Sequence, residues 1–519
     1  MRNFAAKFTC NKSPLLSSCP FKSVRRKEFG DFQTPWELSK LMIEIIKEKN
    51  IRPKIIIEPT CGIGNILLSS YNAFLPDAII GVEINNNYCQ HLSKIIEKSS
   101  KITIINKNIF DTINIIKTEI NKYHSCLFIG NPPWVTNSAL SAINSTNLPV
   151  KENRKGLRGI EAITGKSNFD ITEYIILKLI EEYRSYNSVY AFLCKTSVAR
   201  NILKYCWENN FFYKESSIYP IDSKKYFDAT VDACFFIIDF SKKGTIKECH
   251  VYDSIENKSF SNTMGYFNNK MIVDINNFNS HNYLGKSEYI WRNGIKHDCS
   301  KVMELDMVGK NLVNGYGEIV NIEDDLVFPL LKSSDIANGN LSIRKKVIVT
   351  QRNVGEETLS IKERFPKTWK YLNYYIDNFQ KRKSSIYRNK PLFSIFSIGG
   401  YSFLPIKIAI SGLYKHISFQ MLFPENEKSI MVDDTCNYIS CKTKSEANLI
   451  YSLLTSKENI NFLNSIIFWD SKRPITTEIL NSINLKRIAE EHSLENQYDI
   501  LTNINNTVEK ENGKQMVLF

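Results

Sequence analysis

A chain of 519 residues with 43% apolar side chains is long enough for more than one core, since domains run to ~100–200 residues each; a single small domain and a disordered chain are both excluded. Its 67 lysines and arginines against 54 acidic residues leave a net charge of +13, and the windows 1–50, 151–200 and 351–400 carry +5, +3 and +6 while the rest sums to −1. Such localised basicity suits a polyanionic partner.

The first 27 residues form a basic extension without the apolar core of a secretory signal, and no later run is long enough to span a membrane. The twelve cysteines are scattered, with no CxxC pair and no Cys/His grouping at zinc spacing, so neither a disulfide framework nor a metal is called for. A cytoplasmic protein is expected. Thr34-Pro35-Trp36-Glu37 reads as a helix start, with Thr34 as N-cap and Glu37 closing a capping box. Leu38, Leu41, Met42, Ile45 and Ile46 then repeat at helical spacing, predicting a helix over 35–49.

Short apolar runs follow at 54–58, 78–83, 102–107, 126–130, 188–194 and 233–239, mostly separated by stretches long enough for helices. Continuous apolar strands alternating with helices predict a doubly wound α/β domain with a parallel sheet over residues 28–240. The alternation lapses after 240, where mixed α and β character is expected to about 490. A loose polar tail is expected over 491–519.

Three sites lie at the carboxyl ends of these strands, the edge at which open α/β sheets bind ligands. The first strand runs into Glu58-Pro59-Thr60-Cys61-Gly62-Ile63-Gly64-Asn65, where glycines permit a tight turn against a nucleotide and Glu58 can hold a polar group. Glu83 ends the second strand 25 residues after Glu58, near the spacing at which an acid meets a ribose diol. Asn131-Pro132-Pro133-Trp134 ends the fourth. Its prolines stop the strand and present carbonyls, Asn131 adds an acceptor, and Trp134 adds a flat ring. An exocyclic aromatic amine needs that grouping: the Asn131 oxygen and the Pro132 carbonyl take both hydrogens and leave the nitrogen lone pair directed at a methyl donor.

The order of these motifs resembles the catalytic domain of gamma-class N6-adenine DNA methyltransferases of restriction-modification systems. The resemblance implies a Rossmann-like class I fold and S-adenosyl-L-methionine as cofactor. It makes Thr34 and Pro35 neighbours of the methionine moiety, Glu58, Thr60, Cys61, Gly62 and Gly64 the cofactor loop, and Glu83 the ribose ligand. Asn131, Pro132, Pro133 and Trp134 become the catalytic tetrapeptide, with Asn131 also facing the cofactor. Asn108 and Ile109 fall where the family holds the cofactor adenine, with Asp111 competing for that assignment, and Phe227 falls where a second aromatic stacks on a flipped base.

Residues 137–168, with Lys151, Arg154, Lys155, Arg158 and Lys166, have the composition of a loop meeting a DNA backbone. The C-terminal half resembles the target recognition domains of the same enzymes. Within it the basic and aromatic run 367–390, including Arg382, Lys383 and Arg388, is expected to face phosphates. The expected partners are double-stranded DNA, met as a monomer, and a separate cognate restriction endonuclease. An rRNA base methyltransferase and an inactive specificity subunit are the competing readings. The length of the C-terminal half favours DNA over the first, and the full set of Asn131, both prolines and both acids argues against the second.

Overall fold

The structure is a computed structural model that describes residues 32–502, except 97–98, 124, 136–169, 243, 245–246, 277 and 279–282. The chain divides into two compact units, Met1–Asn276 and Asn277–Phe519.

In the first unit, β1 (Ile55–Glu58), β2 (Ala78–Glu83), β3 (Ile102–Asn106), β4 (Cys126–Gly130) and β5 (Ser188–Lys195) run parallel in the order β3-β2-β1-β4-β5. The accompanying helices are α1 (Trp36–Glu48) before β1, α2 (Asn65–Phe74), α3 (Asn86–Ile96), α4 (Ile113–Ile120) and α5 (Ile171–Tyr183) between the strands, and α6 (Thr196–Glu208) after β5. Every β1 residue is buried, as the strand's uninterrupted apolar pattern requires with helices on both faces. On one face Leu38, Met42, Ile45 and Ile46 of α1 pack with Ile56, Leu127, Ala191 and Leu193. Each such large aliphatic side chain contributes about 1.5–3 kcal/mol on full burial.

The sequence reading missed β6 (Glu215–Ile221), which lies beside the short helix α7 (Ser223–Phe227) and β7 (Ala233–Asp239). Ser216, Ser217 and Pro220 break its apolar run, yet Ser216 donates to the Glu248 carbonyl at 2.9 Å and Ile255 donates to the Pro220 carbonyl at 2.8 Å. β7 runs antiparallel to both β5 and β6, so the sheet is mixed rather than wholly parallel. Three further strands, β8 (Glu248–Tyr252), β9 (Phe260–Phe267) and β10 (Lys270–Ile272), extend it to ten. The expected boundary at 240 therefore falls inside a continuous sheet, because the register carries on through polar residues.

The expected capping box at Thr34 is absent. Pro35 is the N-cap of α1 and no side chain caps it; the Thr34 carbonyl instead accepts from Asn65 Nδ2 at 2.8 Å, and Thr34 is buried.

The second unit holds a four-stranded sheet, whose longest strands are Ile406–Ser411 and Cys436–Cys441, and a six-stranded sheet centred on Glu304–Val308, Lys345–Ile348 and Val327–Leu331. Short helices accompany them, giving the α+β character expected. The segment after 490 is not loose throughout: Tyr498 is buried and its hydroxyl donates to Glu288. Among the described residues no helix is long and apolar enough to cross a membrane.

Candidate active site

The carboxyl ends of β1, β2 and β4 open onto a cavity with about 1090 Å³ of atom-free space, continuous with solvent. After β1 the chain turns through Gly62 (φ +51°) and Gly64 (φ +87°), both in the left-handed region that suits glycine. A Cβ on Gly64 would lie 2.3 Å from Leu92 Cδ2, and one on Gly62 would lie 2.5 Å from Gln33 Oε1. The turn is thus fixed by close packing from both sides.

The Glu83 carboxylate ties the turn to β2, accepting from the Gly62 N–H at 2.8 Å and the Asn85 N–H at 2.7 Å. Gln33 Oε1 accepts from the Ile63 N–H at 3.0 Å. Gln33 opens the QTPWELS stretch that holds Thr34 and Pro35, and Asn65 closes the Glu58 loop, whereas Phe32 carries no motif that would mark it.

Glu58 is 2% exposed, and its Oε2 has no partner among the described residues. Burial raises its pKa well above the usual carboxylate range, against a lowering backbone hydrogen bond from Leu67 and with a further push upward from Glu83. Burial likewise raises the Cys61 thiol. Thr60 Oγ1, Asn65 Oδ1 and Asn131 Oδ1 are also buried without partners among the described residues, and all three residues line the cavity with Glu58. Four polar atoms left unmatched around one space fit a polar ligand.

Asn108 and Ile109 both line the cavity. Asn108 Oδ1 already accepts from the Phe110 N–H at 3.1 Å as the cap of a short helical turn, so its role as the acceptor for an adenine amine is in competition with the backbone. Phe110, one residue after the expected Ile109, also lines the cavity and supplies its aromatic ring. Asp111 is exposed.

At the end of β4, Asn131 Nδ2 donates to the Phe32 carbonyl at 2.9 Å. That bond turns the amide so that Oδ1 is the atom left without a partner. The following carbonyls are tied to α5: Thr172 Oγ1 donates to Pro133 O at 2.7 Å and the Ile171 N–H donates to Val135 O at 2.9 Å. Asp170 caps α5 by accepting from the Thr172 N–H, and Lys195 pairs with it at 2.6 Å.

Trp134 and Phe227 meet with ring centroids 5.2 Å apart and planes at 72°. Phe32 lies 5.7 Å from Trp134 and 6.0 Å from Phe227, and with these rings around it Trp134 is 6% exposed. Pro35 gives its carbonyl to Ser39, and Gly64 serves as the N-cap of α2.

Lys151, Arg154, Lys155, Arg158 and Lys166 lie outside the described residues. In the second unit Lys383 and Arg388 are exposed, but Arg382 corrects the expectation. Its guanidinium donates to the carbonyls of Phe379 (3.1 Å), Ser394 (2.7 Å) and His297 (3.3 Å) and stacks 3.7 Å over Tyr387. It is an internal strut, with its donors directed at main-chain acceptors.

Residues 18–175 match the family model described as N-6 DNA Methylase. The chain is 42% identical over 473 residues to the Type II methyltransferase M.NspV of Nostoc sp., covering 89% of this chain and 97% of that protein. Its fold is similar to that of the type IIL restriction-modification enzyme MmeI, solved in complex with DNA, with a TM-score of 0.56 at 13% identity over 88% of this chain and 68% of that one.

Proposed function

We propose, for a chain that belongs to the type II methyltransferases and is a DNA methyltransferase of restriction-modification type, that it transfers the methyl group of S-adenosylmethionine to the N6 amine of an adenine rotated out of duplex DNA. One observation carries the choice of an amine: the Asn131 oxygen is buried and unpartnered in the cavity wall while the amide nitrogen is held by Phe32.

The residues present fit the cofactor. When bound, it supplies an electrophilic methyl sulfonium. Glu83, whose carboxylate accepts from the Gly62 and Asn85 N–H groups at the end of β2, is the acid placed to accept from a ribose diol. Glu58 answers an ammonium group, which would offset the desolvation that now raises its pKa. Ile84, Ile109 and Phe110 offer an apolar bed for the purine.

The target amine is weakly nucleophilic because its lone pair is delocalised into the ring. Asn131 Oδ1 and the Pro132 carbonyl accept its two hydrogens and hold its lone pair toward the methyl group. Thr172 occupies the neighbouring Pro133 carbonyl. Extruding the base costs a few kcal/mol, and stacking on Trp134 and Phe227 offsets this by about 1–3 kcal/mol per base. Because Phe32 packs against both rings, its ring gives way when a base enters. A separate endonuclease would cut DNA that lacks the mark.

The test is transfer of labelled methyl to duplex DNA followed by mass spectrometry of the nucleosides. N6-methyladenine is the expected product, and N4-methylcytosine alone would replace the adenine reading. Asn131→Ala should lose at least ~10²–10³-fold in turnover, the range seen when one preorganised hydrogen-bonding group is removed from a transition state. Cofactor affinity should persist, and a variant that keeps wild-type turnover would remove Asn131 from the chemistry.

A further inference from the structure

In the second unit a short turn projects from the end of the strand Lys345–Ile348. Its base is anchored in the core. Thr350 Oγ1 donates to the Phe393 carbonyl at 2.7 Å, the buried Gln351 accepts from the Ile395 N–H at 2.8 Å, and the buried Thr358 donates to the Leu392 carbonyl. Its tip is closed by Glu356, whose Oε2 accepts from the backbone N–H groups of Arg352 (2.6 Å) and Asn353 (3.0 Å), and Gly355 takes the left-handed φ of +85° that the reversal needs.

This rigid backbone presents three consecutive exposed side chains, Arg352, Asn353 and Val354. The Arg352 guanidinium stacks 4.4 Å over the Phe403 ring, which fixes its plane and leaves its donor edge unused. Among the described residues no ion pair or hydrogen bond engages the side chain of either Arg352 or Asn353. Some other exposed cations of this unit are committed to carboxylates, as Arg344 is to Asp335 and Arg487 is to Glu490.

We propose that the Gln351–Glu356 turn reads base edges in the major groove, with Arg352 taking a guanine, Asn353 an adenine and Val354 a thymine methyl; this rests on the DNA methyltransferase reading. Arg is matched bidentately to guanine O6 and N7, Asn to adenine N6 and N7, and apolar groups to the thymine methyl. Phosphate contacts tolerate long flexible side chains, whereas base readout needs donors held in place before the DNA arrives. Glu356 is the positioning residue, since it pins the two backbone amides.

The experiment uses the full-length chain with S-adenosylmethionine on duplex DNA containing all short sequence contexts, and methylated positions are read by sequencing. Wild type should modify one consensus. Arg352→Ala should accept other bases at a single G·C position, with discrimination there falling roughly 5- to 150-fold. Asn353→Ala should relax a single A·T position, and Glu356→Ala should relax both. Lys383→Glu serves as the contrast, lowering the rate on all sequences alike. An unchanged consensus in the Arg352 and Asn353 variants overturns this inference alone, as does a uniform loss with a shallower salt dependence, which would make Arg352 a phosphate contact. A wild-type chain that methylates no DNA overturns the functional reading and this inference together.

Discussion

Two buried polar regions of this protein differ in how their atoms are matched. Around the cavity of the first unit, Glu58, Thr60, Asn65 and Asn131 each keep a buried oxygen without a partner among the described residues. In the second unit the buried His297, Glu304 and Asp433 form a connected network with the half-buried Lys332. His297 Nε2 lies 3.4 Å from Glu304, and Lys332 Nζ lies 2.8 Å from Glu304 and 3.2 Å from Asp433. Leaving a buried polar group unmatched costs about 1–3 kcal/mol. A fold meets that cost with its own groups where structure is the purpose, and leaves it standing where a ligand completes the set.

Removing one member should therefore damage the network's stability and the cavity's chemistry, respectively. Burial alone would raise the Glu304 carboxyl, but hydrogen bonds from His297 and Lys332 hold it down at about 2. A carboxylate with a lowered folded-state pKa contributes stability that is present above its unfolded value of ~4.3 and lost as pH falls toward 2. Glu304→Ala should destabilise the second unit toward the lower end of the ~3–5 kcal/mol expected for breaking a buried pair, since Lys332 keeps Asp433. Hydrogen exchange over Val327–Ile348 at pH 7 measures this. The gap to wild type should narrow when stability is compared at pH 3, and equal protection at pH 7 would mean that the network is not structural.

Lys407 breaks the comparison from the other side. It is 1% exposed, its Nζ has no partner among the described residues, and the Tyr438 ring centroid lies 5.7 Å from it. Desolvation lowers its pKa to about 7. Between 7 and the unfolded value of ~10.4 the unfolded chain binds a proton that the folded chain does not, so stability rises with pH across that window. Lys407→Met should stabilise the second unit by about 1–4 kcal/mol at pH 7, as apolar replacement of buried charge does, with the gain fading toward pH 10. Thermal unfolding at pH 7 and 10 reads both, and a destabilised Met variant would show that the amine has a required role.

The sequence made the chemistry more legible than the architecture that supports it. Strands with unbroken apolar runs, such as Ile55–Glu58 and Cys126–Gly130, were placed to within a residue, and Glu58, Glu83, Asn131 and Pro133 at their ends line one cavity. Strand Glu215–Ile221 was invisible because serines and a proline interrupt it, its satisfaction coming from Glu248 and Ile255, more than thirty residues away. Arg382 was misread because composition records that a cation is present but not that three carbonyls surround it. The Phe32 carbonyl that orients Asn131 has no side-chain signature at all.

Thr172 offers the finest test of the cavity's side of the comparison, because it touches the Asn131–Trp134 tetrapeptide without lining the space itself. It is 1% exposed and donates to Pro133 O at 2.7 Å, at the start of helix Ile171–Tyr183. Valine matches its shape but cannot donate, so Thr172→Val leaves that carbonyl unpaired and loosens the tetrapeptide against the helix. A neutral hydrogen bond of this kind is worth about 0.5–1.5 kcal/mol, which corresponds to a roughly 2- to 10-fold fall in turnover if the strain is felt in the transition state. Cofactor affinity and the DNA consensus should not change, because Glu58, Glu83 and the second unit are untouched. Thr172→Ser, which keeps the hydroxyl, should recover most of the rate. If the valine variant loses cofactor affinity in step with turnover, or if serine fails to rescue, Thr172 acts on the fold of the unit rather than on the position of Asn131 and its neighbours.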